Sequence, residues 1–300
     1  RAMARFITFM NYIRKQGGQN EIDTFLEETV LLVMAAASIG GMALAASPQA
    51  TYEEAGRNMA AHPQGSYTLK LGLKMPFVGE GAVVNNIDVQ ERPFVIQSQA
   101  KVTGFAATTM KKVPEGKAYA VQNGKKIDVY YQEDGDEWEK KSYDLKDSKP
   151  LADYLRQDYN VLAGVKKVTV AGGNDYNVVF DASHIYKPAD QAQWKKNGMT
   201  AEQIRVMTKV LQGLQQCGDL STVVTIDPAT KRISRISLPL TDQLRSLALT
   251  LVDEYGRSDA DKAVAQSFIK MSEVSLTIDC TALPQGTQLT VPEKVIKSAK

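Results

Sequence analysis

From Tyr67 to Phe77 every odd position is apolar (Tyr67, Leu69, Leu71, Leu73, Met75, Phe77), while the even positions are Thr68, Lys70, Gly72, Lys74 and Pro76. A period of two held this long gives a strand one dry face and one wet face, the habit of antiparallel sheets. Further strands follow from the same reasoning. Phe94, Ile96, Ala100 and Val102 share a face in the next one. Lys117–Val121 and Lys125–Tyr131 are joined at Asn123-Gly124, a hairpin signal because both turn positions ask for positive φ. Asp134-Gly135 turns Tyr130 back toward Trp138 and Tyr143, and Gly172-Gly173 joins Val165–Val170 to Tyr176–Phe180. Pro228-Ala229-Thr230 joins Leu220–Asp227 to Arg232–Leu238, and Met271–Cys280 carries Val274, Leu276, Ile278 and Cys280 on one face. Consecutive hairpins predict one antiparallel meander, long enough to curl.

Helices are expected between the strands. Thr200, with Gln203 three residues on, forms a capping box that opens a helix over Ala201–Cys217, and Gly218 ends it. Ile204, Met207, Leu211, Leu214 and Cys217 line one side of it. A second starts at Thr241, with Leu244, Leu247, Leu251 and Tyr255 on one stripe, and Ser258 caps a third over Asp259–Ile269. Lys149–Asn160 reads as a shorter one. Apolar stripes must rest on something, and the dry face of the sheet is the available surface. Either the stripes complete a solid core or they leave an apolar cavity. Periodicity does not separate the two. Residues 66–296 read as a single domain, 47–65 as a linker holding a short helix at Tyr52–Ala61, and 297–300 as a C-terminal tail.

The only long apolar run, Thr29–Ala46, precedes Ser47 and Pro48. Ala43-Leu44-Ala45 offers the small-x-small pattern of signal-peptidase sites, and Arg14 and Lys15 could serve as its basic region. Residues 1–46 are therefore expected to be a signal peptide with an upstream extension, and the protein to be exported to the cell envelope or beyond. Glu21, Asp23, Glu27 and Glu28 interrupt the usual pattern; the competing readings are a membrane anchor and a buried helix. With 36 basic and 34 acidic residues the net charge is +2, too balanced to suggest a nucleic-acid partner. A membrane surface remains compatible with it, and nothing in the pattern asks for more than a monomer.

Chemistry-bearing motifs are scarce. The two histidines, His62 and His184, sit in a linker and a strand-exit loop, and Gly79-Glu80-Gly81 lacks the third glycine of a dinucleotide loop. Ser98-Gln99-Ala100-Lys101 matches a serine–lysine spacing, but on a strand residues three apart face opposite ways. Glu133, Asp134, Asp136 and Glu137 read as a solvated hairpin tip, not a calcium loop. Tyr130, Tyr131, Trp138 and Tyr143 read as packing, with recognition the alternative. A non-enzyme without metal or cofactor is expected. Cys217 and Cys280, each on an apolar face, are a disulfide candidate in an oxidising compartment, worth about 4 kcal/mol in the chain-entropy view. The other reading is two buried thiols.

The order of these elements carries a resemblance. The pattern Val129-Tyr130-Tyr131…Gly135…Trp138, a central helix, Val224-Thr225-Ile226-Asp227…Thr230…Arg232-Ile233-Ser234-Arg235-Ile236, and Val291-Pro292-Glu293 together resemble the LolA/LppX/RseB-like superfamily over about residues 60–296. That resemblance implies an α+β fold: a curved antiparallel sheet forming an unclosed β-barrel, with helices covering its concave face. It also implies a hydrophobic cavity that takes a lipid, an acyl chain or another apolar ligand. Leu69, Leu71, Leu73, Phe94 and Ile96 of the sheet, with Leu211, Leu214, Leu247 and Leu251 of the helices, would line it. The alternative is an envelope structural, sensor or protein-interaction module with a filled core. No arginine here matches the one that holds the lid in the carriers, and no lipobox cysteine stands at the cleavage region.

Overall fold

The computed structural model describes residues 47–75, 77–108, 115–133, 135–144, 164–185, 191–196, 200–255 and 258–300; the expected leader and the helix expected at 149–160 lie outside them. In chain order the elements are α1 (Pro48–Ala61), β1 (Gly65–Met75), β2 (Gly79–Gln90), β3 (Val95–Gly104), α2 (Phe105–Thr108), β4 (Glu115–Asn123), β5 (Lys126–Glu133) and β6 (Glu139–Asp144). There follow β7 (Val165–Gly172), β8 (Asp175–Phe180), α3 (Ala182–Ile185), α4 (Gln191–Lys196), α5 (Ala201–Gln216), β9 (Leu220–Asp227) and β10 (Arg232–Pro239). The chain ends with α6 (Thr241–Tyr255), α7 (Asp259–Met271), β11 (Glu273–Thr281) and α8 (Glu293–Ser298).

All eleven strands form one antiparallel sheet in the order β6-β5-β4-β3-β2-β1-β11-β10-β9-β8-β7. Two meanders, β1–β6 and β7–β11, are joined at the centre, where β1 runs against β11 from Ser66↔Thr281 to Lys74↔Glu273. The outer strands β6 and β7 do not meet, so the fold is α+β on an open, half-barrel-like sheet. The alternation that predicts β1 holds through Met75. Phe77 does not continue it: Pro76 has no N–H for a ladder, and Phe77 lies in the turn beyond, fully exposed with φ 63°. At the Asn123-Gly124 hairpin the turn falls one residue later than expected. Asn123 pairs with Lys126, and of the two turn residues only Gly124 has positive φ (61°), the pattern of a type II′ turn.

The core corrects the reading of residues 47–65 as a linker. Ser47 Oγ accepts the Ala50 amide at 3.1 Å and Pro48 stands in the first turn, so α1 is well started. Its Tyr52, Ala55 and Met59 are 0%, 0% and 1% exposed and pack with Tyr67, Ile233, Val224, Val178 and Cys280 of the sheet. Polar clasps hold its far end: Asn58 Nδ2 donates to the Lys231 carbonyl at 2.9 Å and Lys231 Nζ reaches Glu54 at 2.9 Å. The Arg232 guanidinium donates to the carbonyls of His62 and Gln64 at 2.8 and 3.3 Å. An amphipathic helix covers the apolar face where β7 and β10 meet it.

Helices α3 to α7 form a separate layer. The capping box at Thr200 is present, with Thr200 N donating to Gln203 Oε1 at 2.8 Å and Gln203 N to Thr200 Oγ1 at 3.2 Å. Gly213 lets α5 and α6 approach: a Cβ there would meet Ser246 Oγ at 2.6 Å. Arg205 reaches the Glu254 carboxylate at 2.6 Å, and Lys209 pairs with it as well. The buried stripe of α5 is Val206 and Val210, not the Met207–Leu211–Leu214 line, because α5 packs chiefly on α6; Met207 is 39% exposed. Of the layer, α6 lies against β11, where Thr241 Oγ1 donates to the Val274 carbonyl and accepts its amide.

The expected disulfide is absent, and the topology explains why. Cys217 and Cys280 are free thiols. Cys217 Sγ lies 3.5 Å from the Asp242 carbonyl, beside the Val274 end of β11, whereas Cys280 is six residues further along that strand. At about 3.3 Å per residue that is roughly 20 Å, against the ~7 Å a disulfide tolerates between Cα atoms. Burial pushes the Cys280 thiol up to about 12, Asp279 adds to this, and Arg232 opposes it. A thiol reagent is therefore expected to label Cys217 alone in the folded protein and both cysteines in urea; oxidised and reduced samples should have the same mass.

The outer face of β2–β5 is covered by the chain's C-terminal segment, which corrects the reading of 297–300 as a tail. Gln90 Oε1 accepts the Leu289 amide at 2.7 Å, Val295 of α8 is 1% exposed, and the Lys300 main chain pairs with Trp138 and Lys140. On the same face Asp128 is 5% exposed and accepts from Ser142 Oγ, Lys140 Nζ and Asn123 Nδ2 at 2.5, 3.0 and 3.2 Å. Burial opposes its charge, but these three donors outweigh burial and hold the carboxyl below the usual aspartate range. A carboxyl so lowered adds stability above its unfolded pKa and loses it as pH falls through the folded value. Asp128→Ala is expected to cost about 1–3 kcal/mol at neutral pH. The gap to the parent should narrow below about pH 4 in urea melts.

Candidate functional site

The apolar inner face is built row by row from the strand register. One row runs Ile236–Ile278–Leu69–Asn85–Ala100 across β10, β11, β1, β2 and β3, and the next runs Leu238–Leu276–Leu71–Val83–Val102. The two rows differ in cover. Along β1, exposure climbs from 1% at Tyr67 to 8% at Leu69 and 39% at Leu71; across the pair, Val83 is also 39% exposed. Leu238 and Leu276 are partly buried against the core. So α1 seals the face at Tyr67 and Leu69, and the next row is left incompletely covered. Five strands, about 4.8 Å apart, make that row roughly 19 Å long.

The expected lining residues separate accordingly. Leu69, Phe94 and Ile96 belong to the solid core at 8%, 6% and 7% exposure, and Phe94 sits in the turn before β3. Leu71 and Leu73 lie in the less covered part, with Leu73 half-buried. Leu211, Leu214, Leu247 and Leu251 are half-buried on α5 and α6, the two helices that meet at Gly213 and Ser246. The register does not join them to the sheet residues in one lining. Val83, Leu238 and Val102 are the members the alternation of β1 alone could not supply. Val83 would have been found had Val83, Ile87 and Val89 been read as a period of two broken only by Asn85.

That break is a buried polar feature of the inner face. Asn85 is 6% exposed and its Oδ1 accepts from Ser98 Oγ at 2.9 Å, so the amide oxygen is satisfied within the sheet. Lys101 lies on the exposed outer face of β3, away from Ser98. At the hairpin tip Gln132 Nε2 donates to the main-chain carbonyl of Asp136 at 2.6 Å, and the Glu137 carboxylate pairs with Lys300 at the far end of the chain. Asp134 and the side chain of His184 lie outside the described residues. Tyr130 and Tyr131 are buried at 4% and 5%, while Trp138 is only half-buried and faces Tyr119 with ring centroids 5.6 Å apart.

Fold and face together define a class: an α+β protein on one large open antiparallel sheet, whose apolar face is filled at the core and partly uncovered at Leu71 and Val83. No protein-family model matches the chain, and no curated protein does. Among the described residues no helix is long and apolar enough to cross a membrane.

Proposed function

We propose that the chain is an exported, non-catalytic, monomeric binding protein that lays an acyl chain or similar apolar ligand along the row Leu238, Leu276, Leu71, Val83 and Val102. The observation that carries this reading is the step in exposure along β1, from a sealed Leu69 to a 39% exposed Leu71 on one continuous apolar face. A row about 19 Å long matches an extended chain of common fatty-acid length. Burying it would contribute about 0.8 kcal/mol per methylene. The likeness to lipoprotein-carrier folds in element order agrees with this use of the face. The tight packing of α1 favours the second reading, an envelope interaction module with a filled core, because it closes part of the surface a cavity would need.

Titration with a palmitate-length fluorescent fatty acid, together with native mass spectrometry of protein taken from its own source, separates the two. The carrier reading expects saturable binding and co-purified lipid. Leu71→Asp, at a position exposed enough to leave the fold intact, should weaken fatty-acid binding by about tenfold or more, since the ligand would then bury an unpaired carboxylate. No saturable binding and no lipid would leave the interaction module standing.

A further inference from the structure

The outer face carries a cleft of about 480 Å³ between the β3–β5 surface and α8, lined among others by Gln97, Gln99, Tyr119, Gln132, Trp138 and Lys294. We infer that this cleft is an oligosaccharide-binding site, on the opposite side of the sheet from the apolar row and independent of it. Its volume falls in the range of small-ligand sites. Its chemistry is neither apolar nor strongly charged. Tyr119 and Trp138 present two rings tilted by 42° at 5.6 Å, an aromatic platform on one wall. A pyranose ring shows such a platform a face of C–H groups and keeps its hydroxyls around the rim. Three glutamine amides stand about that platform: Gln97 offers its whole amide, while Gln99 and Gln132 each give one N–H to the protein and keep a second N–H and the carbonyl oxygen, so that donors and acceptors stand together as a hydroxyl requires.

The groups aimed at a ligand are spare. Among the described residues the Gln97 amide, the Tyr119 hydroxyl, the Trp138 indole N–H and the Lys294 ammonium make no hydrogen bond to another residue. Lys117, by contrast, is 3.4 Å from Glu115, and Gln99 Nε2 donates to the same carboxylate at 2.6 Å. One cation without a carboxylate partner suits a neutral or singly anionic sugar and is too little for a polyphosphate. The walls are also fixed in advance. Trp138 is held by its carbonyl, which accepts the Lys300 amide at 3.1 Å, and α8 by Val295 at 1% exposure, so little ordering cost falls on binding.

The test is an amide NMR titration of the whole chain with chitotetraose, cellotetraose and tetragalacturonate, each to about 10 mM, a range that captures even weak binding. The inference expects saturable shifts at residues 97, 119, 132 and 138 with at least one of the three. Trp138→Ala should weaken that sugar by about tenfold or more while Trp138→Phe stays within about threefold. Gln97→Ala, which disturbs no hydrogen bond of the folded protein, should weaken it by several fold and keeps the test decisive if Trp138→Ala fails to fold. Leu71→Asp should leave sugar binding unchanged, so that failure of the apolar row and failure of the cleft are told apart. The absence of shifts at these positions with all three sugars, or equal binding by Gln97→Ala and the parent, overturns the assignment.

Discussion

Tyr67→Ala is expected to lower the unfolding free energy by about 3–5 kcal/mol, the cost of removing a fully buried aromatic side chain from a core that cannot collapse onto the gap. Tyr67 is 1% exposed and stands where the two meanders and α1 meet, opposite Ile87 of β2 and Cys280 of β11. Neighbours on three elements border the vacancy, and two of them are strands locked by their own ladders. The hydroxyl adds a bond of its own, donating to the Pro63 carbonyl at 2.6 Å and so fixing the turn from α1 into β1. Tyr67→Phe keeps the ring and removes the hydroxyl with its bond to Pro63 and its interaction with Arg232, for an expected loss of about 1 kcal/mol. Urea unfolding followed by circular dichroism reads both. If the alanine variant lost no more than the phenylalanine one, Tyr67 would not be a keystone of the core.

Gly104→Ala should be nearly as damaging, for a different reason. Gly104 ends β3 with φ +70°, and a Cβ there would lie 2.2 Å from the Glu80 carbonyl oxygen and 2.9 Å from the Gly81 Cα. Left-handed backbone costs an alanine about 1 kcal/mol, and a clash with backbone cannot be relieved by turning a side chain. Either β2 or β3 must shift, and the total is expected at about 2–4 kcal/mol. Gly79 provides the control. Its φ is +109°, yet nothing lies within 4 Å of an added Cβ, so Gly79→Ala should carry the conformational cost alone. The difference between the two variants in the same urea titration isolates the close approach of strands β2 and β3. Equal losses would mean that the β2–β3 approach is not tight.

The inner-face site was half legible. Leu71 and Leu73 could be placed on the dry side of β1 from their spacing, and Val102 and Leu276 on theirs. That Leu71 meets Leu276 depends on a register between strands more than two hundred residues apart, which no local pattern encodes, whereas its other neighbour, Val83, comes from the next strand in the chain. The outer cleft was not legible at all. Gln97, Gln99 and Gln132 occupy ordinary wet-face positions, and Trp138 reads as packing until α8 is laid beside it.

The sequence by itself determined the hairpins, not the pairing of β1 with β11 that divides the expected single meander into two. Alternation in β1, glycines at the turns and the Thr200–Gln203 box are statements about neighbouring residues, and backbone geometry converts them directly into strands, hairpins and a helix start. Only the tertiary structure decided what covers what. It put a polar-looking segment, 48–61, into the core, because Tyr52, Ala55 and Met59 share one helical side and Lys231 and Arg232, some 170 residues on, clasp its end. It also parted Cys217 from Cys280 by the length of β11. Cover and distance are set by contacts between remote parts of the chain, and a periodicity of two or of 3.6 carries no information about those.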